Sequence, residues 1–226
     1  MEVEIVGIKK AYSRRIILDN ITLSAGAGSC VGILGSNGSG KSTLLSILAG
    51  VHRADGGSFF YCGTDLLLHS KRIPEVLGYV PQTDPLIEEL SAWDNLRMWY
   101  DKAALKRELS DGALGMLGID SFLKVPVRHM SGGMKKRLSI GCAVVSRPAV
   151  LVLDEPSSAL DPVCLENIRE YLSAYKKAGG MILMATHDAQ DLELCDSVYI
   201  LKKGELMPYP YDGDFHRLAA ALCAEG

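Results

Sequence analysis

Residues 35–43, GSNGSGKST, constrain this chain more than any other stretch. The apolar run Cys30-Val31-Gly32-Ile33-Leu34 leads into them, and Leu44-Leu45-Ser46-Ile47-Leu48 leads out. G-x-x-x-x-G-K-[ST] between a buried strand and a helix is the pattern of a loop that wraps phosphate. Gly35, Ser36, Asn37, Gly38, Ser39 and Gly40 present successive backbone N–H groups to an anion, and a side chain at Gly38 or Gly40 is expected to obstruct that curl. A helix starting near Lys41 turns its positive dipole end toward the same point. Lys41 adds a point charge for terminal phosphates. The hydroxyl of Ser42, next to Thr43, is suited to ligating Mg²⁺. The stretch implies binding of a nucleoside triphosphate but leaves its use open.

Composition narrows that use. The chain has 226 residues, 48% hydrophobic and 23% charged, which suits one globular unit or two small subdomains. A net charge of −3 supplies no basic surface, so nucleic acid is not an expected partner. Six cysteines without a C-x-x-C pair fit reduced thiols better than a zinc site or a disulfide frame. The opening MEVEIVGIKKAY lacks the apolar segment of a secretion signal. No apolar run approaches the roughly 18 residues of a membrane span. If this chain works at a membrane, another polypeptide does the spanning.

Residues 2–8 alternate polar and apolar and predict a half-buried strand, followed by a solvated turn over the charged residues 9–15 and more strand at 16–18 and 21–23. GGSFFYCG, 56–63, predicts a hairpin strand, and 78–82 a short buried strand ending at Pro81 and Gln82. Residues 92–118 are rich in Ala, Leu, Met and charge, which predicts two helices broken near 110–112. A further helix is expected over 131–145 with Ser131 as its cap. Residues 83–147 thus read as a helical subdomain inserted between two halves, 1–82 and 148–226, of an α/β core. Residues 149–153, AVLVL, have the continuous apolarity of a parallel strand covered on both faces. Asp161-Pro162 opens a helix that Gly179-Gly180 stops. Then come a strand at 181–185, a short helix at 188–195, a hairpin over 198–207 and a last helix around 214–224.

Asp154 and Glu155 fall where the apolar strand ends, the edge at which open α/β sheets bind ligands. Asp154 is the expected water-mediated partner of Mg²⁺, and Glu155 can polarise an attacking water as general base. About 90 residues beyond the phosphate loop stands Met130-Ser131-Gly132-Gly133-Met134. This resembles the signature of the ATP-binding cassette (ABC) ATPases. The other motifs follow in that family's order: residues 35–43 as Walker A, Gln82 in YVPQ as the Q-loop, 150–156 as Walker B, Ser158-Ala159-Leu160-Asp161 as the D-loop, and His187 in MATHD as the switch histidine. Tyr12 takes the place of the aromatic that stacks on adenine. The resemblance covers essentially the whole chain.

It implies an α/β fold: a P-loop NTPase core with a mainly parallel sheet, an N-terminal antiparallel β subdomain and an inserted α-helical subdomain. It also implies Mg²⁺ held by Ser42, Gln82 and Asp154, and catalysis by Glu155, His187 and Lys41. Ser131, Gly132 and Gly133 at a helix start offer a hydroxyl, close-approach N–H groups and a dipole end, a second anion site. In the family that surface, with the D-loop Asp161, serves ATP held by another subunit. One chain then carries two half-sites, and the expected partners are a second cassette, identical or not, and integral membrane permease subunits. The expected place is the cytoplasmic face of the cell membrane.

Met134 departs from the family's usual Gln and cannot donate a side-chain hydrogen bond. With Lys135-Lys136-Arg137 after it, it resembles the cassettes of ABC-2 exporters, which points to export. The alternatives are a regulatory cassette with weak hydrolysis, which Met134 alone would support, and a soluble ABC ATPase acting on DNA or ribosomes, a class that carries paired cassettes or a coiled-coil insertion. Trp93, Met98 and Trp99 are either subdomain core or the lining of a groove for a membrane subunit. His52, His69, His129 and His216 read as structural.

Overall fold

The computed structural model describes residues 2–158 and 160–223. In chain order the strands are β1 (Glu2–Tyr12), β2 (Arg15–Gly26), β3 (Cys30–Leu34), β4 (Gly56–Tyr61), β5 (Thr64–Asp65), β6 (Leu77–Val80), β7 (Val150–Asp154), β8 (Met181–Ala185), β9 (Ser197–Lys202) and β10 (Glu205–Tyr209). The helices are α1 (Lys41–Leu48), α2 (Ile73–Val76), α3 (Ala92–Arg97), α4 (Lys102–Asp111), α5 (Ala113–Met116), α6 (Gly132–Ala143), α7 (Pro162–Lys177), α8 (Ala189–Leu192) and α9 (Phe215–Cys223). The expected last helix is present as α9; residue 224 lies outside the described residues.

The architecture is α/β. One antiparallel sheet runs β2-β1-β4-β5; a second runs β10-β9-β3-β8-β7-β6 and is parallel except for its edge strand β10. Every residue of β3, β7 and β8 is buried. Continuous apolarity in these strands follows from two covered faces. Val150 and Val152 of β7 face a core shared with α1 and the antiparallel sheet, whereas Leu151 and Leu153 face a core shared with α3, α6 and α7.

The alternation in β1 holds through Val3 and Ile5, then slips. The register with β2 shifts between Ile5 and Ile8, and Gly7 takes a left-handed φ of 62°. The extra residue of a bulge inverts the phase, so Ile8 points inward where strict alternation would turn it out. The turn expected over 9–15 is shorter than its charge implied. The strand continues to Tyr12, leaving the turn to Ser13 and Arg14, because pairing absorbs the charges: Lys10 Nζ meets Asp55 Oδ1 at 2.8 Å and the Ala11 N–H donates to Asp55 Oδ2 at 2.7 Å.

The helical stretch breaks once more than expected. Besides the break at Gly112, α3 ends before Tyr100, whose buried ring sends its hydroxyl to the Gly141 carbonyl at 3.0 Å, and Asp101 caps α4 by accepting from the N–H groups of Ala103 and Ala104. Of the aromatics in question, Trp93 packs on this core, while Met98 and Trp99 are exposed and line a groove of about 510 Å³. The helix expected over 188–195 shrinks to α8, capped by Asp188.

Candidate active site

Four parallel strands deliver the predicted residues to one edge. β3 runs into the loop 35–40, β6 into Pro81 and Gln82, β7 ends on Asp154 beside Glu155, and β8 ends before Thr186 and His187. Because β8 lies between β3 and β7, residues some 110–150 positions apart in sequence become neighbours. A cleft of about 420 Å³ is lined by Tyr12, Ile17, Asn37, Gly38, Gly40, Lys41, Ser42, Thr43, Gln82 and Glu155. Ser36 and Ser39 line its neighbour on the other side of the loop, with Arg15 and Lys202.

Glycine is required in the loop for two reasons, and only one matches the expected obstruction. A Cβ at Gly35 would lie 2.5 Å from the Leu201 carbonyl, and one at Gly40 would lie 3.0 Å from Ile17 Cγ2. Gly38 has open space around it; its φ of 77° is what excludes a side chain there. Lys41 is 6% exposed and donates to the carbonyls of Gly35 at 2.7 Å and Ser36 at 3.3 Å. Burial lowers its pKa, while Glu155 and Asp154 oppose that shift. Its charge is therefore held under the loop by the loop's own carbonyls.

Glu155 is 6% exposed, and its backbone takes a φ of 54°, uncommon for a side-chain-bearing residue. Its carboxylate Oε2 lies 3.0 Å from His187 Nε2. Burial pushes the Glu155 pKa up to about 7, against the pull of Lys41; Asp154 adds to the rise. Burial and Lys41 lower that of His187, favouring the neutral ring that donates through Nε2. A carboxyl whose folded pKa is raised contributes stability that is complete below its ordinary value near 4.5 and lost as pH rises through about 7. Nucleotide-free Glu155→Gln lacks that loss. Thermal melts should show the variant gaining on the wild type between pH 5 and 8 by on the order of 2–3 kcal/mol; a constant offset would mean the carboxyl is not desolvated.

Asp154 is 2% exposed, and its Oδ1 has no hydrogen-bond partner. The buried orphan oxygen, with the Ser42 hydroxyl and Gln82 amide in the cleft, makes a hard oxygen donor set suited to Mg²⁺.

Ser131, Gly132, Gly133, Met134 and Asp161 do not line this cleft. Ser131 caps α6 by accepting from the Met134 N–H at 3.2 Å, and Asp161 caps α7 by accepting from Val163 and Cys164. Gly133 is buried, and a Cβ on it would collide with the Cys164 sulfur, so its smallness is needed for the packing of α6 on α7. Met134 packs its side chain on the helical core. Its thioether is therefore no substitute for a polar contact at the surface.

Two further buried polar groups carry little local sequence signal. Lys136, 5% exposed, donates from α6 to the carbonyls of Pro81 and Gln82 at 3.1 and 3.3 Å and pairs with Asp84 at 3.0 Å. In the sequence it is visible only as one member of a basic triplet. Asp191, 2% exposed, binds Ser157 and Thr186; nothing in its local sequence marks it.

A phosphate loop, a strand-end carboxylate pair and a histidine on a parallel sheet define a nucleotide-hydrolysing cassette. A profile described as ABC transporter matches residues 18–158, and the chain belongs to that family as an ATP-binding cassette ATPase. It is 31% identical over 212 residues to the lantibiotic transport ATP-binding protein SrtF of Streptococcus pyogenes, covering 93% of this chain and 91% of that one. It is 34% identical to the Nod factor export ATP-binding protein I of Ralstonia nicotianae over 88% of this chain, but spans only 63% of that relative's length. Among solved structures, an ATP-binding subunit of an ABC transporter superposes with a TM-score of 0.83 at 27% identity, covering 100% of this chain and 96% of the other. The dimeric cassette MJ0796 in a post-hydrolysis state with ADP and Pi gives 0.81 at 26% identity, covering 90% and 96%.

Proposed function

We propose that the chain is the motor subunit of an ABC exporter, closing head to tail with a second cassette on two ATP molecules. The observation that carries this reading is the division of the site. Lys41, Gln82 and Glu155 line one cleft, while the capped start of α6 at Ser131, an anion-seeking surface, lies outside it. Each surface is then completed by the other's counterpart on a partner.

Within the cleft, residues 35–40 and Lys41 hold the phosphates. Glu155, whose raised pKa makes its ionised form a stronger base and which is oriented by His187, takes the proton of the attacking water. His187 and Lys41 stabilise charge on the γ-phosphate oxygens. Ser42, Gln82 and Asp154 would hold Mg²⁺, which when bound neutralises phosphate charge. Tyr12, 47% exposed at the cleft, stacks on adenine. Tyr12→Ala should raise the ATP dissociation constant about tenfold without changing maximal turnover; an unchanged affinity, measured with a fluorescent analogue, would take Tyr12 out of the site.

Residues 83–147 act as the helical subdomain. Its groove at Met98 and Trp99 receives a segment of a membrane permease subunit, which holds the chain at the cytoplasmic face of the membrane. No helix among the described residues is long and apolar enough to cross a membrane. Export is supported by the SGGM signature and by the transport and export functions named for the relatives. Turnover by the purified chain should rise at least tenfold when its permease is reconstituted with it. Equal rates with and without permease would favour a soluble, non-transport ATPase.

A further inference from the structure

We propose that Asp191 is a positioning residue for hydrolysis, a strut that fixes the turn carrying Glu155 to the turn carrying His187. The proposal rests on the reading of those two residues as the reacting pair. Asp191 lies on α8, outside the cleft, and 2% of it is exposed. Its two carboxylate oxygens are used separately. Oδ1 accepts from the Ser157 hydroxyl at 2.6 Å, and Oδ2 accepts from the Thr186 hydroxyl at 2.7 Å. Ser157 stands two residues after Glu155, and Thr186 one residue before His187.

The remaining contacts tighten the same two turns. The Thr186 Oγ1 accepts from the Asp188 N–H at 3.0 Å, which orients the peptide just after His187. Arg169 of α7 offsets part of the negative charge, with Nη2 at 3.2 Å from Asp188 Oδ1 and Nε at 3.6 Å from Asp191 Oδ1, and it also contacts Gln190. Glu155 needs such support, because its left-handed φ of 54° persists only where the surroundings over-determine it. Its N–H donates to the Ala185 carbonyl at 2.9 Å, so one backbone bond and the Ser157–Asp191–Thr186 bridge join the two turns. A carboxylate suits the bridge, because it accepts from two hydroxyl donors at once with neither proton left unpaired.

The test has a structural and a kinetic arm. In nucleotide-free protein the His187 ring signal, assigned by its loss in His187→Ala, is followed by NMR. Glu155→Gln should displace it in the wild type and leave it unmoved in Asp191→Ala, where the pair has come apart. Displacement of equal size in both backgrounds overturns the strut and leaves the reading of Glu155 intact. No displacement in either overturns the contact itself. In the permease complex, Asp191→Ala should lower kcat about 10–100-fold with the ATP KM within about twofold, yet add less than about twofold to His187→Ala. Losses that multiply would show a merely structural role. Should Asp191→Ala fail to fold, Ser157→Ala removes one arm of the bridge and is put through the same two cycles.

Discussion

Glu155→Gln binds ATP with wild-type affinity but turns it over about 10²–10⁴ times more slowly, as loss of a general base predicts. The substitution is nearly isosteric, keeps an acceptor toward His187, and removes only the site that would take the proton from water. Because hydrolysis is the step that reopens the proposed dimer, the variant also accumulates in the closed form. Size-exclusion chromatography with and without ATP reads this directly, and the wild type remains largely monomeric under both conditions. Unchanged turnover would remove Glu155 as the base. Slow turnover without dimer accumulation would leave the base in place and refute closure around two nucleotides.

The second large effect concerns the other half-site. In the Glu155→Gln background, Ser131→Arg should abolish the ATP-dependent dimer while leaving ATP binding to the monomer within about twofold, since Ser131 does not line the cleft. The arginine removes the cap to the Met134 N–H and places bulk and a cation at the positive end of α6. Ser131→Ala separates those causes: it loses the cap alone, about 1 kcal/mol of stability. A dimer that survives Ser131→Arg would place the signature outside the interface. Lys41→Ala, by contrast, should lose nucleotide binding and dimer together.

Much of this site is legible in one dimension because its residues sit in short local patterns. A phosphate loop is a strand, a glycine-rich turn and a helix start within about fifteen residues, and the backbone conformation that Gly38 needs is encoded by glycine itself. Caps are equally local, so Ser131 and Asp161 are readable as helix starts. Long-range pairing is not local. The strand that replaced an expected turn at residues 9–12 depends on Asp55, more than 40 positions away. The bulge at Gly7 is settled by a partner backbone: a Cβ on Gly57 would lie 2.5 Å from Gly7 carbon.

By itself the sequence determined the phosphate loop, the carboxylates at a strand end, the capped signature helix and the α/β class, since each follows from residue type and spacing along the chain. The tertiary structure alone decided how those parts act on one another. The order β3-β8-β7 brings Lys41, His187 and Glu155 to one sheet edge. Burial at that edge raises the Glu155 pKa to about 7. Gly133 answers to α7, and Asp191 joins two turns that no local pattern connects. Desolvation and hydrogen-bond satisfaction depend on what surrounds a group, and for these residues the surroundings come from segments distant in the chain.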